Sequence, residues 1–197
     1  MKKLVALLVI SLMATSAFAI VDPDADMMGL YFDTNADVVC ASAAPVTHVF
    51  AYIILTNPTL PVIRGFECQV SYVAGDNNTS ISAVLATPGT DVGNKVAPFF
   101  NFIAGFGSPL PTTPATILAT LDIFYLNFAS PSMDLFLGAA VPSSSDIGLP
   151  MILRDDFSEM NVGTSVLEGP SAQINASACG VVDSEDASFG AVKALFR

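Results

Sequence analysis

The chain has 197 residues, 52% hydrophobic and 13% charged, with seven basic side chains against eighteen acidic ones and a formal charge of −11 at pH 7. So acidic a polymer is repelled by nucleic acid and by anionic lipid surfaces, which excludes nucleic-acid binding. With one histidine and no tryptophan, multi-histidine zinc sites are excluded by count, and the best sugar-stacking side chain is missing.

The first segment, MKKLVALLVISLMATSAFA, has two lysines, an apolar run from Leu4 to Met13, and small residues Ala17 and Ala19 around Phe18. This is the pattern of a secretory signal peptide, residues 1–19, with cleavage expected after Ala19. The apolar run is shorter than the roughly 20 residues of a membrane span. No cysteine follows the cleavage point, so no lipid anchor is expected there, and the short lysine-led form looks bacterial. No later segment has eighteen uninterrupted apolar residues, so the mature protein is expected to be secreted, soluble, and without membrane insertion. Cleavage leaves 178 residues, enough for one domain with a sizeable core, and a net charge of −13.

The mature chain opens on IVDPDADMMGLYFD, in which Asp22, Asp24, Asp26 and Asp33 take the first, third, fifth and twelfth places of a twelve-residue window. That spacing is a calcium loop's, but such a loop needs glycine sixth and helices on both sides. The sixth residue here is Met27, Pro23 is second, and MGLYF reads as strand. A solvated acidic N-terminus is the expectation, with an irregular calcium site as the alternative; no other cofactor is expected.

Strand signals follow in order. GLYF is short. THVFAYIILTN and VIRGFECQVSYV are long, rich in β-branched and aromatic residues, and joined by PTLP, which suits a hairpin. GDNNTS breaks the chain and ISAVLA resumes it. The turn-rich TPGTDVGN precedes APFFNFIAGF, and GSPLPTTP reads as a proline-dense loop. ATILATLDIFYLNF places Ile117, Ala119, Leu121, Ile123 and Tyr125 on one face. SMDLFLGAAV, LPMILRDD and SAQINAS complete the set. Eight or nine strands, punctuated by glycine and proline and with no long helical period before the tail, predict an all-β antiparallel sandwich over 20–182. Residues 183–197 form an acidic, amphipathic tail with a short helix.

The order HVFAYIILTNPTLPVIRGFECQVSYV followed by ATILATLDIFYLNF resembles cohesins and related carbohydrate-module-like sandwiches. The resemblance covers about the middle hundred residues and implies an Ig-like or cohesin-like sandwich. Cohesins often follow the tyrosine of the second strand directly with aspartate, whereas Tyr72 is followed by Val73, Ala74 and Gly75. The closing SFGAVKALFR is similar to the end of a group of secreted bacterial proteins with no assigned activity, through Phe189, Gly190, Lys193, Leu195, Phe196 and Arg197.

Three cysteines in an oxidising compartment give one pair and one leftover. Cys68 alternates in phase with Phe66, Val70 and Tyr72 and is expected to point into a core. Cys40 and Cys179 lie in small, polar segments near the two ends, so Cys40–Cys179 is the favoured disulfide and Cys40–Cys68 its rival. No pair has metal-ligand spacing.

Asp155, Asp156 and Glu159 form a second acidic cluster, and Asp183, Glu185 and Asp186 a third; both read as charged loops that keep an apolar protein soluble. His48 is the sole histidine a nucleophilic triad could use, yet no Gly-x-Ser-x-Gly elbow accompanies it. Tyr31, Tyr52, Tyr72 and Tyr125 sit inside strand patterns, and Asn77, Asn78 and Thr79 mark a plain turn. In the tail, Phe189, Val192 and Leu195 or Phe196 make one apolar stripe if helical, with Lys193 and Arg197 supplying local positive charge. That segment either packs on its own sandwich or docks on an envelope partner. The sequence therefore points to an exported, noncatalytic structural or adhesive module of the bacterial surface or extracellular matrix, with an envelope or extracellular protein as partner. An extracellular glycan-binding module is the alternative, and an enzyme ranks third.

Overall fold

A period of two runs through the long apolar segments, and each of them is a strand. The computed structural model describes residues 23–75, 79–128, 131–166 and 168–177. Among these residues there are fourteen strand segments and no helix. The predicted helix in 183–197 lies outside the described residues, as do the expected signal peptide, residues 1–19, and Cys179.

Two sheets face each other. The smaller has the order β13-β1-β3-β9-β5, with β1 at Met27–Tyr31, β3 at Thr47–Thr56, β5 at Ser80–Leu85, β9 at Ala115–Tyr125 and β13 at Gly163–Thr164. The larger is built on β4, Val62–Ala74. One edge of β4 pairs with β10 (Met133–Gly138) and then β11 (Met151–Leu153), and the other pairs with β8 (Phe99–Pro111). Outside these lie β12 (Glu159–Asn161), β14 (Ala172–Ile174) and β2 (Cys40–Ala41) on one side, and β6 (Gly89–Asp91) and β7 (Lys95–Val96) on the other.

The core is the space between the sheets. Ala51, Ile53 and Leu55 of β3 and Leu121, Ile123 and Tyr125 of β9 meet Phe66, Cys68, Val70 and Tyr72 of β4 and Phe100, Phe102 and Phe106 of β8. The Phe66 ring lies 6.1 Å from Phe102 and 6.0 Å from Phe106, and Tyr72 lies 6.3 Å from Phe100. Such ring pairs add about 0.5–1.5 kcal/mol each beyond their buried area. A second, small cluster of Tyr31, Ala36 and Ile54 sits on the outside of the smaller sheet. There the β1–β2 connection folds back over it, closed by Phe32 N–H donating to Val38 O.

The sandwich is as predicted, and four local expectations are corrected. First, β3 and β4 are not a hairpin but belong to opposite sheets. NPTLP carries the chain over the rim, and the β8–β9 connection crosses beside it, with Asn57 N–H donating to Pro114 O and Thr112 N–H to Pro61 O. Second, GSPLPTTP is partly strand, since β8 runs to Pro111. Beyond Phe106, β8 has β4 as its one strand neighbour, so prolines face a side with no ladder to break. Third, Ile117 leaves the face of Ala119: a bulge opposite Ile53 and Ile54 turns Leu118 and Ala119 inward and Ile117 outward, against the small outer cluster. Fourth, the strands outnumber the predicted eight or nine because short edge pieces join in, two of them parallel: β13 beside β1 and β2 beside β14.

Candidate functional site

Alternation on β4 that buries Phe66 and Cys68 sends Glu67 and Gln69 to the outer face of the larger sheet. Across that face the register sets Glu67 between Ile103 of β8 and Met151 of β11, and Gly65 between Gly105 and Leu153. Thr90 of β6 lies opposite Gly105, and Glu159 of β12 opposite Leu153. The two glycines leave the middle of the sheet bare between taller neighbours. The result is an open groove of about 340 Å³, floored by the backbone of β4 and β8 and walled by Val92, Ile103, Met151 and Leu153. Two carboxylates, Glu67 and Glu159, and the Thr90 side chain are its polar components.

The glycines differ physically. A Cβ on Gly65 would sit 2.3 Å from Ala104 O, so the close approach of β4 to β8 requires glycine there. A Cβ on Gly105 would meet nothing within 4 Å; it would point into the groove.

The groove's surroundings are braced. Glu67 accepts hydrogen bonds from Ser144 N (3.1 Å) and Ser144 Oγ (2.9 Å), which ties down the β10–β11 connection. Asn101 Oδ1 accepts from Gln69 Nε2 (3.0 Å) and Val141 N (2.8 Å). At the β11–β12 turn, Arg64 Nε donates to Asp155 Oδ1 (3.0 Å), and its guanidinium lies 5.1 Å from the exposed Phe157 ring. Behind the sheet, Lys95 Nζ bonds Asp91 Oδ2 at 2.5 Å and stands 4.5 Å over the Phe102 ring.

The residues singled out in the sequence are dispersed. The second acidic cluster is divided: Asp155 holds Arg64, and Asp156 accepts from Ser158 N (3.0 Å) and Oγ (2.6 Å), which keep its carboxyl below the usual range. Only Glu159 reaches the groove. Of the N-terminal carboxylates, Asp26 fastens Thr59 through its N–H (2.8 Å) and hydroxyl (2.7 Å), while Asp33 accepts from the backbone N–H of Asn35, Asp37 and Val38. They serve separate turns, and no group of three or more metal-ligating side chains gathers among the described residues. His48 Nδ1 lies 2.6 Å from Asp122 Oδ1, with its ring 4.8 Å from Phe124, and no hydroxyl or thiol bonds it among the described residues. Tyr31, Tyr72 and Tyr125 are buried.

Cys68 is buried and free, which removes the rival pairing with Cys40. Burial pushes its thiol far above the ordinary range. Cys40 lies on β2, opposite Gln173 of β14, and so near the C-terminal end of the described domain. Its expected partner Cys179, the third acidic cluster, and the tail residues Phe189, Val192, Lys193, Leu195, Phe196 and Arg197 all lie outside the described residues.

Sequence reading missed the groove. Its one local signal was glycine inside two strand patterns, at Gly65 and Gly105, where a glycine marks close backbone approach or a bare surface.

Comparison with solved structures then locates this architecture. The second type II cohesin module of the ScaA scaffoldin of Acetivibrio cellulolyticus superposes with a TM-score of 0.55 at 11% identity, covering 79% of this chain and 99% of the module. The sixth cohesin of that organism's scaffoldin B, solved with a mutant Cel5 dockerin, gives 0.54 at 9% identity, covering 78% and 100%. A type I cohesin from Clostridium thermocellum, in complex with a dockerin, gives 0.52 at 9%, covering 77% and 98%. The fold is a cohesin-like β-sandwich. No protein-family model and no curated protein sequence matches the chain.

Proposed function

We propose that this chain is a noncatalytic protein-binding module, exported to the cell surface or extracellular matrix, that docks a partner on the outer face of its larger sheet. The observation that carries this reading is the groove over Gly65 and Gly105, apolar on its walls and acidic at Glu67 and Glu159, in a cohesin-like fold. Two of the structural neighbours are described as bound to dockerin, and a protein is the partner class carried over here. The groove's chemistry fits an apolar side chain flanked by a basic one, presented by an extracellular or envelope protein. An apolar anchor in a desolvated pocket is where binding energy concentrates.

Gly105→Trp tests this. Its side chain enters open space, so the thermal transition should stay within a few degrees of the parent. Binding to the partner recovered from the producer's envelope fraction should fall by at least about tenfold, the effect of losing a central anchor. Unchanged capture by a folded Gly105→Trp protein would move the docking surface elsewhere.

Glycan binding is supported by a different place. Exposed Phe50 and His48, with Phe124 and Asp122, lie together on the outer face of the smaller sheet, whereas three of the four tyrosines are buried. Retention on an insoluble polysaccharide that Phe50→Ala abolishes would favour that reading.

A further inference from the structure

Among the described residues the smaller sheet ends on one side at β5, Ser80–Leu85, whose single strand partner there is β9. The opposite edge of that sheet is the two-residue β13. Exposed edges are ordinarily blunted by charge, proline, bulges or shortness. β5 has none of these: SISAVL is six residues long, uncharged, and in continuous register with β9 from Ser80↔Phe124 to Leu85↔Ala119.

The hydrogen-bonding direction along β5 is fixed by one observed bond. Ala86 N–H donates to Leu118 O at 3.0 Å, so Ala86 points its backbone groups at β9. In an antiparallel ladder this alternates, and Val84, Ser82 and Ser80 also face β9. Ile81, Ala83 and Leu85 therefore direct their N–H and C=O groups outward, and no hydrogen bond to them occurs among the described residues. The same three side chains face the core, while Ser80, Ser82 and Val84 lie on the outer face, Val84 with 71% exposure.

From this we infer that β5 pairs with β5 of a second copy of this chain, antiparallel about a two-fold axis through Ala83. In that register Ala83 opposes its own copy, Ile81 opposes Leu85, and Ser82 opposes Val84. Each outward N–H and C=O finds its counterpart, inward side chains stay inward, and outward ones stay outward. A shift by one residue would turn the partner's faces over. Charge selects a second copy over a charged peptide: the strand is neutral, and Asp122, which lies opposite Ser82 on β9, is engaged by His48 Nδ1 at 2.6 Å. On a chain of net charge −11, which opposes self-association at long range, an uncharged and self-complementary edge is where two copies meet with least local repulsion. The contact is isologous and uses the same edge of each copy, so the assembly closes at two.

Sedimentation equilibrium across a concentration series tests this, with Ala83→Pro and Val84→Pro compared. Ala83→Pro removes an outward N–H and leaves the bonds to β9 intact. It should keep the parent's thermal transition within a few degrees and raise the dimer dissociation constant by about tenfold or more, because both copies lose a bond at the axis. Val84→Pro removes a bond to β9 and should lower the transition. A parent that is monomeric throughout the series would overturn the proposal. So would a dimer indifferent to Ala83→Pro, or a monomer whose Ile81, Ala83 and Leu85 amides are protected from exchange, because the edge would then be covered from within the chain.

Discussion

Asp37 shows how one carboxylate can act against the fold that holds it. It is half-buried in the β1–β2 connection, with one side-chain oxygen buried and unpartnered, and desolvation together with the charge of Asp33 raises its pKa. A raised carboxyl favours the neutral form in the folded state, so its destabilising effect appears as pH rises above the ordinary carboxylate value and is complete above the folded one. Asp37→Asn should therefore stabilise at neutral pH, by a few tenths to about 1 kcal/mol for so solvated a site. In urea titrations that gain should vanish as pH falls below about 4, where both side chains are neutral. The residue scale was partly legible beforehand. The phase of Cys68 with Phe66, Val70 and Tyr72 gave its burial correctly. The unpartnered oxygen of Asp37 was not legible, because it depends on how a loop closes, which alternation does not encode.

At the scale of elements, β4 organises both the core and the groove, and its glycine is the point of closest approach. Gly65→Ala would drive a Cβ into Ala104 O, a backbone atom that cannot step aside without moving β8. A loss of about 3 kcal/mol is expected, at the severe end for overpacking, and chemical denaturation will measure it. The long strands could be read in the sequence because each has its own period of two. Their partners could not: a short proline-flanked loop after an apolar strand looks the same whether the next strand pairs with it or crosses to the other sheet. NPTLP crosses because β3 is already paired with β1 and β9, a fact written in segments before and after it. For the same reason the groove stayed hidden, since it exists only where β6, β8, β4, β11 and β12 lie side by side.

For the molecule as a whole, charge sets the terms of encounter. A net charge of −11 and two carboxylates at the groove should steer a basic partner inward. The association rate measured by stopped flow should then fall as ionic strength rises from about 0.01 to 0.15 M, over which the screening length shrinks from about 30 to 8 Å. A rate that is flat in salt would mean that the partner is met through the apolar walls alone. This expectation rests on the docking reading and adds to it the sign of the partner's charge. Fold class followed from periodicity, but the groove required the assembled sheet.

The placement of the outermost strands in chain order has a mechanical consequence. β1, nearest the start of the described chain, lies between β13 and β3, and β14, nearest its end, lies between β10 and β2. Neither is at the margin of its sheet, and each has one parallel and one antiparallel neighbour. Tension applied through the two ends would therefore have no free border from which to peel. It would have to slide each strand lengthwise out from between two others, loading several bonds together instead of in succession. On the docking reading proposed above, that resistance would suit a module that is pulled through its two ends.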